Sequence, residues 1–144
     1  MNFDYPQGIS GDLTTAILDP DLTPNLVLDK GLAFTVRVDW TPTGSGVQTI
    51  GGTWTIKAYA ESLGPGPELQ IGSAVNTPVV PIDGHAYSES ISVPPNTLLA
   101  EGEGVPGASG VYKLVVVVTH TNTLGTRTEM AGFAEGPVFE IRNP

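Results

Sequence analysis

Segments of this chain alternate inward and outward residue types with a period of two, and none repeats apolar residues at the spacing of an amphipathic helix. Leu32, Phe34, Val36, Val38 and Trp40 alternate with Ala33, Thr35, Arg37 and Asp39. Trp54, Ile56, Ala58 and Ala60 alternate with Thr53, Thr55, Lys57, Tyr59 and Glu61. Period two throws successive side chains onto opposite faces of an extended strand, so the first set in each segment is predicted to face a core. Tyr87, Ile91 and Val93 form a third inward set against Ser88, Ser90 and Ser92, and Glu89 on the inward side places that strand near a sheet edge. Val111–Thr121 differs in being apolar on both faces between Leu114 and Val118, which predicts a central strand covered on both sides.

Glycine and proline fall between these runs. Thr41-Pro42-Thr43-Gly44-Ser45-Gly46, Gly51-Gly52, Gly64-Pro65-Gly66-Pro67, Pro94-Pro95-Asn96 and Thr123-Leu124-Gly125-Thr126 read as turns and loops. Leu13–Leu18 and Leu26–Leu28, parted by Pro20 and Pro24, read as short edge strands, because proline cannot donate to a central ladder. A short piece is expected over Val47–Ile50 and a weak strand over Glu68–Ile71, while Val79–Ile82 is a short apolar run bracketed by prolines. A last strand is expected from near Arg127, broken at Glu135-Gly136-Pro137 and resuming over Val138–Arg142. Short strands with turns between them predict an all-β antiparallel sandwich of about 7–9 strands. The 144 residues suit one domain. Residues 1–12 are expected to form a flexible N-terminal arm and residues 13–144 the sandwich.

Gly110-Val111-Tyr112-Lys113-Leu114 resembles the Gly-x-Tyr-x-Cys that opens strand F of immunoglobulin-type sandwiches, with Leu114 in the cysteine position. In that resemblance Trp54 stands for the strand-C tryptophan, and Val36 or Val38 for the strand-B cysteine. Val38-Asp39-Trp40-Thr41-Pro42 is similar instead to the Val-x-Trp-x-Pro of fibronectin type III modules. The separation of Trp40 from Tyr112 is long for a compact fibronectin module and favours an immunoglobulin-like layout with an extra strand or long loops. The resemblance covers roughly residues 28–142. It implies a cysteine-free immunoglobulin-like fold and a Tyr112 hydroxyl bonded back to the preceding loop; it implies no function.

Charge excludes some partners. The formal net charge is -9, and the 6 basic residues, Lys30, Arg37, Lys57, Lys113, Arg127 and Arg142, are scattered among 15 acidic ones. Binding a phosphate backbone or an anionic membrane needs clustered Lys and Arg, so neither is expected. With no cysteine, disulfides, thiolate metal sites and a Cys nucleophile are excluded. Residues 1–6 show neither the basic nor the apolar region of a signal peptide, and the apolar run Leu114–Val118 is far too short for a membrane span. A soluble chain is expected, in a compartment the residues do not name.

Candidate chemistry is thin. His85, in an expected turn, and His120, closing the long strand, are the only imidazoles, and no Gly-x-Ser-x-Gly elbow is present to join them in a nucleophilic triad. Glu101 and Glu103 share one Gly-rich loop without the contrasting environments that a glycosidic acid and base need. Asp19 and Asp21, with Asn25, make a sparse set for calcium, and Thr23 breaks the Asp-x-Asp-x-Asp rhythm. Trp40, Trp54, Tyr59 and Tyr87 would stack sugars only if exposed together, whereas both tryptophans fall on core faces. No catalytic, cofactor-binding or metal residue is therefore assigned. The expectation is a non-enzymatic structural or protein-interaction module, self-association included, such as a subunit of a filament, particle or surface layer. The alternative is a glycan- or small-ligand-binding sandwich using loops 62–68, 83–87 and 100–110.

Overall fold

The computed structural model describes residues 3–4, as backbone, and residues 8–143. Among them are nine strands: β1 (Phe3–Asp4), β2 (Ser10–Leu18), β3 (Val27–Asp29), β4 (Phe34–Thr43), β5 (Thr53–Ser62), β6 (Glu68–Pro78), β7 (Tyr87–Val93), β8 (Val111–Thr121) and β9 (Arg127–Arg142). They form an all-β sandwich. The smaller sheet runs β2-β4-β7. The larger runs β1-β9-β8-β5-β6, with β3 alongside β9. Every pairing is antiparallel except β3 with β9.

The alternation sets which faces meet. Phe34, Val36, Val38 and Trp40 of β4, and Tyr87, Ile91 and Val93 of β7, point from the small sheet into the core. Trp54, Ile56, Ala58 and Ala60 of β5, with Tyr112, Leu114, Val116 and Val118 of β8, answer from the large one. Glu89 is half-buried on β7, an edge strand of the small sheet, as expected. Each large aliphatic side chain so buried contributes about 1.5–3 kcal/mol relative to exposure.

Leu32 was expected in this core but is 49% exposed. The chain is still turning there: Leu32 N donates to Asp29 O, and Gly31 N to Asp29 Oδ1, so extended pairing starts only at Phe34. The strand expected over Val47–Ile50 is replaced by a 3₁₀ turn, Ser45–Thr49. One buried side chain, Val47, anchors that turn, and Thr49 Oγ1 donates to Gly46 O. Val79–Ile82 forms no strand. Of the expected arm, Phe3–Asp4 pair with β9 and Ser10–Asp12 belong to β2, while residues 1–2 and 5–7 lie outside the described residues.

Two irregularities shape the sandwich. In β9 the expected break is a bulge: Glu135 pairs with Val115 but Val138 with Lys113, one residue more than the partner strand supplies. The extra residue flips the side-chain parity, so Met130 and Ala134 point inward before it and Phe139 and Ile141 after it. In β6, which runs well past the Ile71 expected as its end, Ala58 pairs with Ile71 and Ile56 with Val75. The surplus residues begin at Gly72, with φ +67, where a Cβ would sit 2.5 Å from Ile91 Cγ2 and 2.6 Å from Ser92 O. Only glycine lets β6 lean so close to β7, and this closes one side of the sandwich.

The loop before β8 is held by named contacts. Tyr112 Oη donates to Leu99 O at 2.7 Å, the hydrogen bond that the strand-F resemblance implies. Burial raises the Tyr112 phenol above its ordinary pKa.

Candidate functional site

The polar groups singled out in the sequence are tied into local structure. Asp19 Oδ1 accepts from Asp21 N and Thr23 N, both at 3.0 Å, and Asn25 Oδ1 accepts from Val27 N at 3.0 Å. These are turn-forming bonds. Among the described residues no three His, Asp or Glu side chains come together as metal ligands. Glu103 Oε1 accepts from Ala100 N at 2.6 Å, and Oε2 pairs with the Lys30 ammonium. The Lys30 hydrogen bond, then that from Ala100, holds the Glu103 carboxyl below the ordinary glutamate range. Glu101 is exposed, so the two glutamates do not act as a pair across a cleft.

The two histidines are packed against aromatic rings. His85 is half-buried, its ring edge-on to Tyr87 with centroids 4.7 Å apart. His120 is 3% exposed. Its Nε2 donates to Gly51 O at 2.6 Å, its Nδ1 lies 2.8 Å from Thr128 Oγ1, and its ring packs on Trp54. This is a satisfied core histidine. Its inward position continues the series Leu114, Val116, Val118. Trp40 and Trp54 are 1% and 0% exposed, which leaves no tryptophan platform for a sugar.

The loops do not converge on one place either. Loops 62–68 and 100–110 share one end, where Ser109 N donates to Pro65 O and Leu63 N to Val111 O. Loop 83–87 lies at the end of β4, where Gly84 N donates to Pro42 O and Asp83 Oδ1 accepts from Gly44 N. Since β5 starts where β4 ends and runs to residue 62, these are opposite ends of the sandwich.

What remains is the outer face of the large sheet. The covering layer expected over both faces of β8 is absent among the described residues: Leu114, Val116 and Val118 are buried, while Val115 and Val117 are only half-buried. A sandwich of two sheets has an inside and an outside, and the described residues include no α-helix to lay on the outside. Register fixes what surrounds the two valines. Val117 stands between Lys57 and Phe133, Val115 between Tyr59 and Glu135, and Lys113 between Glu61 and Val138. Phe133 and Val138 are 50% and 46% exposed. Lys113 Nζ lies 3.5 Å from Glu135 and 3.8 Å from Glu61, closing one end of the patch with an ion-pair network. Lys57 is exposed and makes no ion pair among the described residues. Beside Tyr59 and Val115, reaching Gln70 on β6, is an open dimple of about 370 Å³. The sequence signal for this face was the apolar run on both sides of β8 in a chain without helices.

No protein-family model matches the sequence, and no curated protein matches it. The fold is nonetheless similar to solved structures. A β-glucosidase from Listeria innocua, in complex with glucose, matches 91% of this chain with 16% of its own, at 13% identity and TM-score 0.50. This chain therefore spans about a sixth of that enzyme's length. The CARDB domain of a Pyrococcus furiosus protein, in complex with di-metal ions, is 14% identical, with 98% of this chain and 100% of that one aligned at TM-score 0.48. The ApaA protein from Bordetella pertussis is 13% identical over 99% of this chain and 97% of its own, at TM-score 0.43. With the first of these, at 13% identity, what is shared is the fold.

No helix among the described residues is long and apolar enough to cross a membrane.

Proposed function

We propose that this chain is a non-enzymatic β-sandwich module of the immunoglobulin-like or fibronectin type III-like kind, and that it works by binding protein. One observation carries the reading: an apolar patch lies on a sheet face, built by Tyr59, Val115, Val117, Phe133 and Val138 on three adjacent strands. Large apolar side chains gathered on a rigid sheet suit association with another folded chain. The superfamily assignment is supported by the Tyr112–Leu99 bond and the buried Trp54. The non-enzymatic reading is supported by His120 bonding to Gly51 and Thr128 inside the core and by Glu103 pairing with Lys30, which engages both groups in local structure.

The test is recovery of the protein, after mild cross-linking, from the cells that make it, alongside a glycan array of the purified chain. The expected result is a stoichiometric assembly containing this chain and a silent array. A free monomer in the cells together with a saturable glycan signal would overturn the proposal in favour of the ligand-binding alternative.

A further inference from the structure

Resting on that protein-binding reading, we infer that the open edge of β9 takes an extended, cationic strand of a partner protein, paired antiparallel along Ala131–Glu135. β8 occupies one side of β9 from Arg127 to Glu140. On the other side β1 reaches only Ala131 and Gly132, and β3 joins at Glu140. Between those two, no strand among the described residues pairs with β9. Hydrogen-bond parity fixes where this stretch aims its backbone. Leu63 N donates to Val111 O, so Val111 turns its backbone groups to β5, and by alternation so do Val115 and Val117. Their partners on β9, Glu135 and Phe133, therefore turn their N–H and C=O groups away from β8, into the gap. The facing wall is the edge of β2. Asn25 N donates to Ile17 O on that edge, so the backbone groups of Leu13 and Thr15, at the same parity, point the same way. A groove of about 700 Å³ lies along the two edges.

A row of aligned, unpaired backbone groups is a template for another strand. β1 gives the polarity, since it already pairs antiparallel with this edge. The template stops at Glu135: Gly136 O accepts from Thr15 Oγ1, and Pro137 has no N–H to offer. The incoming strand overlaps β1 and displaces it, because it pairs along five positions where β1 pairs along 2. Side chains define its chemistry. Gly132 and Ala134 face inward and are small, which leaves room beside Leu13 for large aliphatic groups. Phe133 and Glu135 face outward and are exposed, so a β-branched residue suits the position opposite the first and a cation that opposite the second. Lys113 is the one cation paired with Glu135 among the described residues, and it is shared with Glu61. That shortage of positive charge, in a chain of net charge -9, favours a basic partner.

The experiment is residue-resolved amide exchange of the isotope-labelled 144-residue chain, alone and with a capped peptide, lysine-isoleucine-threonine-isoleucine-threonine, written to face Glu135 to Ala131 in that order. In the free chain the Phe133 and Glu135 amides are expected to exchange fast and those of Gly132 and Ala134, which face β8, slowly. Peptide at up to about 1 mM, the range in which a weak strand pairing is populated, is expected to slow the first pair. Phe133→Pro removes an edge N–H without touching a bond to β8, and is expected to weaken peptide binding about tenfold or more. Phe133→Ala keeps that N–H and is expected to stay within about threefold. Glu135→Lys, at an exposed position, is expected to reverse the preference, favouring the peptide with glutamate in place of lysine.

Phe133 and Glu135 amides that are already protected in the free chain, or that the peptide leaves unprotected, overturn the inference. So does a Phe133→Ala variant that loses as much binding as Phe133→Pro, since that is the signature of docking on the sheet face. Should Phe133→Pro fail to fold, the charge reversal at Glu135 decides. If the Phe133→Pro chain is still recovered from cells in a stoichiometric assembly, the protein-binding reading stands and only the pairing at this edge falls.

Discussion

The ring of Trp40 lies flat on that of Tyr87, centroids 4.8 Å apart and planes 6° apart, and the two residues are register partners across β4 and β7. Trp54 meets both edge-on from the opposite sheet. The Tyr87 hydroxyl reaches beyond the core, accepting from Val80 N at 2.7 Å, and so pins a segment that has no strand pairing of its own. Trp40→Ala is expected to cost about 3–5 kcal/mol in urea unfolding, the range for deleting a large core aromatic. Tyr87→Phe keeps the stack and loses the bond, at about 1–2 kcal/mol. Its distinguishing readout is faster hydrogen exchange at the Val80 amide.

Tyr112→Phe removes the donor to Leu99 O while leaving the ring against Phe139, whose centroid is 5.7 Å away. A half-buried carbonyl then loses its partner, so a loss of about 1–3 kcal/mol is expected. Chemical denaturation with unchanged m-value would identify this as lost stability and not an altered unfolded state.

Glu103 links the same loop to Lys30. Its carboxyl is held below the ordinary glutamate range by Lys30 and then by the Ala100 amide. A group whose folded pKa is depressed stabilises the protein above its unfolded pKa, and that contribution disappears as pH falls through the folded value. Glu103→Gln should therefore be less stable than the parent at neutral pH, with the gap closing on the acid side of the carboxylate range. Urea midpoints of both proteins across that pH series provide the check, and a constant gap would contradict the assignment.

Gly72→Ala places a side chain at φ +67 and within 2.6 Å of both a methyl and a backbone oxygen of β7. The left-handed backbone alone costs roughly 1–2 kcal/mol in a residue with a Cβ. A larger total loss is expected, because the Ser92 carbonyl cannot swing aside as a side chain would. Thermal melts of the variant against Gly84→Ala, where a Cβ meets nothing within 4 Å, separate the contact from the backbone strain.

Leu32→Ser and Phe34→Ala test where the inward series of β4 begins. Leu32 is 49% exposed and Phe34 is 5% exposed. The first substitution is expected to stay within about 0.5 kcal/mol, and the second to cost about 3–5 kcal/mol, by the same urea titration.

Much of this architecture could be read from the residues, for a reason visible in β4, β5, β7 and β8. A strand's period of two is a property of the backbone, so a sequence that alternates declares both its conformation and its buried face, and Phe34 to Trp40 and Trp54 to Ala60 did so. Tyr112 belonged to a local pattern whose partner lies only a loop away, and it too was legible. Leu32 continued the alternation but stood in a turn set by the Asp29 side chain, and a periodic pattern alone does not mark where pairing starts. The bulges of β6 and β9, the opposite placement of the end loops and the interior satisfaction of His120 by Gly51 and Thr128 depend on which strands become neighbours. So does the outer face: Val115 and Val117 were plainly apolar in the chain, but only the stacking of two sheets, with no third layer among the described residues, decided that they would look outward.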